Sequence, residues 1–88
     1  MGRAKCPQPD RLPAKLASIR SALRLTQEQM AERLNGPKTI MYPGHISGYE
    51  KGRRTPSALV LLQYARLAKV PVETLIDDEL ELPKRFQR

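Results

Sequence analysis

Leu25-Thr26-Gln27-Glu28-Gln29-Met30-Ala31-Glu32-Arg33-Leu34 and, after a connector, Ile46-Ser47-Gly48-Tyr49-Glu50-Lys51-Gly52-Arg53-Arg54-Thr55-Pro56-Ser57 are the stretches that decide the fold. Thr26 is a good N-cap, and Gln29 three residues on completes a capping box, so a helix should begin at Gln27. Met30, Ala31 and Leu34 fall on one face of it. Ile46 and Tyr49 give a second short helix its inner face, and Gly52 supplies a C-cap among basic residues. In this order the first helix braces the second, which is left free to enter a DNA major groove.

Outward from that core, Leu12, Leu16, Ile19 and Leu23 recur at helical spacing and predict a helix from about Leu12 or Pro13 to Leu23. Pro13 suits a first turn, where its missing N–H costs nothing. Asn35-Gly36-Pro37 joins C-cap and breaker chemistry, which ends the second helix. A fourth helix should start near Pro56-Ser57 and run to about Ala68 or Lys69. Its apolar residues lie on nearly every side, so it is expected at the centre of the core. Pro71 separates it from a short fifth helix, Val72 to about Ile76. The remainder reads as a flexible basic arm over residues 1–11, a domain over 12–77, and a tail over 78–88. The tail opens on an acidic cluster threaded with Leu80 and Leu82.

The chain has 88 residues, no internal repeat and 40% hydrophobic content, which suits one small helical domain. Sixteen Lys and Arg against nine Asp and Glu give +7 at neutral pH. That balance favours a polyanionic partner, nucleic acid or an anionic membrane surface. No stretch approaches the roughly 20 apolar residues that span a bilayer, and the start lacks the apolar region of a secretory signal. A single cysteine, Cys6, fits a reducing cytoplasm. One His, one Cys, no Gly-rich phosphate loop and no spaced metal ligands leave nothing to support an enzyme, a cofactor or a metal.

Three pieces, "LTQEQMAERL", "ISGYEKGRRTPS" and "YARLAKVPVETLI", resemble the Cro/CI-type (XRE) helix-turn-helix family of phage repressors and bacterial regulators. Together they cover roughly residues 13 to 76. The resemblance implies an all-α, five-helix, lambda-repressor-like DNA-binding domain. One segment departs from it: family members join the two central helices by a tight turn, and this chain has a lengthened loop between helices 2 and 3. Aligned backward from Ile46, the family pattern puts Met41 at the buried position of the turn and Tyr42 at the N-cap. Pro43, Gly44 and His45 then form the first turn of the third helix.

Site residues follow from the same resemblance. Gln27 would reach a phosphate at the positive end of its helix, or stay solvated. Gly44, His45, Ser47 and Gly48 lie on the part set against base edges, and Tyr42 and Pro43 before them count among the DNA-binding residues. His45 has three fates open: a guanine acceptor, a phosphate or solvent. Lys51, Arg53 and Arg54 would neutralise phosphates, with Arg54 alternatively holding the loop by its carbonyls. Arg20 and Glu50 are in register with a structural arginine–glutamate pair.

The resulting expectation is a sequence-specific binder of double-stranded DNA, a repressor or small controller protein, acting as a homodimer. The alternatives are an antitoxin-like protein-interaction module and charge-driven binding of RNA or any nucleic acid. Leu75, Ile76, Leu80 and Leu82 are the expected docking surface, because a small core has little room left to hold all four.

Overall fold

Apolar residues at three- and four-residue spacing build α1 (Leu12–Ala22), α2 (Gln27–Leu34), α3 (Pro43–Glu50), α4 (Ala58–Ala68) and α5 (Val72–Ile76), and a 3-10 turn (Lys84–Phe86) follows. The computed structural model describes residues 10–36 and 40–86, and no strand occurs among them. It is an all-α arrangement of the lambda-repressor-like kind.

The core is organised around α1, whose Leu12, Leu16 and Ile19 are fully buried. This helix packs on α3, α4, α5 and the 3-10 turn, while α2 packs on α3 and α4. The central position expected for α4 is therefore corrected. Val60, Tyr64, Ala65 and Ala68 are buried, but Leu61, Leu62 and Leu67 are half-buried and Leu59 is exposed. A short helix turns only one stripe towards the core, so apolar residues on its other sides cannot all be covered. Ser57 caps α4 by accepting from the Val60 N–H at 3.3 Å. At its other end Lys69 adopts the left-handed conformation, with φ 60° and ψ 44°. That geometry lets the N–H of Val70 reach the Ala65 carbonyl at 3.0 Å, although it favours glycine.

The segment after α5 belongs to the same packed body. Leu82 and Phe86 are buried. Arg85 donates from Nη2 to the last carbonyl of α4, Ala68, at 2.9 Å, and its guanidinium lies 4.7 Å from the Phe86 ring centroid. Asp78 accepts from the backbone N–H groups of Asp10 and Arg11, each at 3.0 Å, which places a carboxylate at the entry to α1. Those two donors hold its carboxyl below the ordinary value. Lys15 is buried, and its ammonium donates to the carbonyls of Thr74 at 2.7 Å and Asp77 at 2.9 Å, closing the end of α5. Burial, with the charge of Arg11 second, lowers its pKa against the pull of nearby carboxylates.

This packing corrects two expectations. Leu75 and Leu82 lie in the core, so the proposed apolar docking surface shrinks to Ile76 and Leu80, which are exposed. Arg11, assigned to the arm, instead donates from Nη1 to the Asp78 carbonyl at 2.8 Å and stands 3.7 Å from Glu81. The rest of the arm, residues 1–9, lies outside the described residues. No helix among those described is long and apolar enough to cross a membrane.

Candidate nucleic-acid interface

The sequence places α3 through three local devices. Thr26 Oγ1 accepts from the Gln29 N–H at 3.0 Å and Gln29 Oε1 accepts from the Thr26 N–H at 2.9 Å, so the capping box starts α2 at Gln27. Past the end of α2, Asn35 closes the long connector. Its Nδ2 donates to the carbonyls of Ala31 at 2.9 Å and Met41 at 3.0 Å, and its Oδ1 accepts from the Met41 N–H at 2.8 Å. Asn35 thus pairs with both polar groups of one peptide residue, as a neighbouring strand would. This clamp holds residues 35 and 41 of the connector together. Met41 is buried, and its sulfur receives the Tyr49 hydroxyl at 3.8 Å, which anchors the connector to the inner face of α3.

Tyr42 is the N-cap of α3 by backbone position, and Pro43 opens the first turn. The cap is completed by His45, whose Nδ1 accepts from the Tyr42 N–H at 3.1 Å. That bond assigns the remaining ring proton to Nε2, which is left as a donor. Ile46, Gly48 and Tyr49 face inward. Pro43 and Gly44 are exposed, and His45 and Ser47 are half-buried on the outer side. A side chain built at Gly44 would meet nothing within 4 Å.

Gly48 differs from its neighbours on this row. It is buried, and a Cβ there would stand 2.9 Å from Cδ and 3.1 Å from Cγ of Arg54. Its missing side chain is the space in which the arginine stem lies. The turn beyond α3 brings the arginine there. Gly52 takes φ 76°, and the Gly48 carbonyl accepts from the N–H groups of Arg53 at 2.9 Å and Arg54 at 3.2 Å. Lys51, Arg53 and Arg54 are all exposed, a cationic shoulder at the end of the outer row.

Behind α3, Arg20 grips Glu50 with two bonds, Nε to Oε2 at 2.6 Å and Nη2 to Oε1 at 3.0 Å. Its third arm donates to the Leu25 carbonyl at 2.9 Å. The guanidinium pKa is raised, chiefly by the bond to Glu50 and in spite of burial. Gln27 is drawn into this group: its Nε2 donates to Glu50 Oε1 at 3.3 Å. The second N–H of that amide is not used by this bond. The Tyr64 hydroxyl is buried with no hydrogen-bond partner among the described residues, and burial pushes its pKa well above the usual phenol value. The pair ties α1 to the C-terminal end of α3 and keeps a carboxylate from standing free beside the cationic shoulder.

A helix-turn-helix domain model matches residues 14–81 of the chain. The chain belongs to the helix-turn-helix domain family. Among curated proteins and among solved structures nothing matches significantly. Within this helix-turn-helix domain, α2 is the brace and α3 the presented helix. The match extends past α5 into the segment that holds Asp78, in keeping with the packing of that segment on α1. The role of Asn35 in holding the connector was not legible in the sequence. A lone Asn after a helix reads as a stop signal, and its second role depends on a partner across a loop of unusual length.

Proposed function

We propose that this helix-turn-helix protein is a sequence-specific regulator that binds double-stranded DNA, acting in the cytoplasm as a repressor or small controller protein. The observation that carries the reading is the outer row of α3, with Gly44 open, His45 Nε2 free to donate, and exposed Lys51, Arg53 and Arg54 beyond it. The cations set affinity and register on the phosphates, and the row reads base edges. A row with so few side chains gains from reading two half-sites, so the protein works as a homodimer with recognition helices one helical turn apart. Exposed Ile76 and Leu80 are the patch that supports self-pairing.

The test begins with selection of binding sites from a random duplex pool by the full chain. Mobility shifts across a salt series, with selected and scrambled competitors, then measure preference. A regulator of this kind prefers its site by about a thousandfold or more, with affinity falling linearly on a log–log salt plot. Equal competition by scrambled duplex would assign the protein to charge-driven binding. No binding at all would assign the fold to protein interaction.

A further inference from the structure

The two most exposed large hydrophobic side chains among the described residues lie two positions apart, just before and at the N-cap of α3. Ile40 is 70% exposed and Tyr42 is 61% exposed, while Met41 between them is 4% exposed. Tyr42 is in extended conformation, with φ −123° and ψ 159°, as it enters α3. Buried Met41 thus has two exposed apolar neighbours, one on each side of it in the chain. They are not fraying loop residues: Asn35 binds both polar groups of Met41, and His45 binds the N–H of Tyr42. The Tyr42 ring lies 5.6 Å from the His45 ring, which stacks in turn at 6.5 Å on buried Tyr49. An ordered apolar pair left in water is the feature to be explained.

We infer that Ile40 and Tyr42 form an apolar reading element for the 5-methyl groups of thymine in the major groove, an inference that rests on the DNA-binding reading above. The N-terminal part of a recognition helix is the part that meets base edges. Gly44, with nothing near its absent side chain, removes the obstacle to close approach beside Tyr42. Thymine is the base that offers an apolar group in that groove. The neighbouring Nε2–H of His45 adds one donor for an acceptor on the adjoining base pair. On this account the lengthened connector supplies, through Ile40, the side chain that the glycine positions of α3 lack.

The experiment uses the full chain and a duplex site selected by it, with each thymine replaced in turn by deoxyuridine, which removes the methyl group alone. Wild type should lose about fourfold in affinity at one or two positions of each half-site, the worth of one buried methylene-sized group. The double variant Ile40→Ser with Tyr42→Ser should bind thymine and deoxyuridine duplexes equally while keeping its melting temperature, since both side chains are exposed and the cap uses backbone atoms. A double variant that keeps the thymine preference overturns the inference. So does a wild type that recognises its selected site but ignores every methyl. If the variant instead loses only self-association in sedimentation, with the methyl preference intact, the pair is a dimer contact and the inference fails. A wild type that selects no site fails at the earlier step and takes down the DNA-binding reading with it.

Discussion

Replacing Asn35 with Ala should cost this domain more stability than an exposed loop residue ordinarily does. Three hydrogen bonds are lost, at 2.9, 3.0 and 2.8 Å. At about 0.5–1.5 kcal/mol net for each bond, the ceiling is about 4.5 kcal/mol. Asn35 is itself exposed, so the freed carbonyls regain water and the lower end applies, about 1.5–2 kcal/mol. For a domain of this size each kcal/mol moves the melting temperature by about 4–8 °C, so a fall of about 6–16 °C is expected. The measurement is thermal unfolding followed by circular dichroism, beside amide exchange at Met41, which should speed up in the variant. Asn35→Asp is the sharper control. It keeps an acceptor for the Met41 N–H but removes both donated bonds and sets a carboxylate against two carbonyls, so it should melt no higher than the alanine variant. A fall of less than about 2 °C for Asn35→Ala, with exchange at Met41 unchanged, would refute the clamp.

Glu50→Gln should destabilise by about 2–3 kcal/mol, because a partly buried guanidinium loses its anion, and adding Arg20→Met should recover part of that; an unmoved melting temperature would show that the pair contributes nothing. Tyr64→Phe should stabilise by about 1 kcal/mol, since the hydroxyl is buried without a partner among the described residues, read as a higher urea midpoint at an unchanged slope. The Asp78 carboxyl is held below its unfolded value of 3.8, so the stability it contributes is present above that pH and is lost as pH falls through the folded value. Asp78→Asn should therefore flatten the loss of stability between about pH 5 and pH 2, measured by urea unfolding across that range. Lys69→Gly should stabilise by about 1 kcal/mol by removing a left-handed non-glycine residue, read from the melting temperature.

Features whose partners lie close along the chain were legible in the sequence. The Thr26–Gln29 box fixes the start of α2 from residues three apart, and the Leu12, Leu16, Ile19 spacing marks α1. Tyr42 at the N-cap of α3 came from the family pattern, since a tyrosine does not announce a cap. What stayed hidden depends on distant partners. Lys15 looks like any cation on a helix surface until Thr74 and Asp77 bring carbonyls to it. The acidic cluster reads as a tail because nothing local shows that Asp78 meets the backbone of Asp10 and Arg11. Leu82 and Phe86 are likewise ordinary tail residues until α1 offers a face to bury them. In the site, the cationic shoulder was legible as charge. The burial of Gly48 was not, since glycine carries no mark of what lies against it.

That glycine bears on any attempt to retarget the protein. Randomised libraries usually treat the outer positions of a recognition helix as independent dials. Here they are not. Codon 44 can be varied freely, since Gly44 faces empty space. Codon 48 is coupled: a methyl placed there stands 2.9 Å from Cδ of Arg54, so the arginine stem must shift and its guanidinium with it. Selections that include position 48 would return clones altered in affinity and register together, and a changed target preference in them would be mistaken for new base readout.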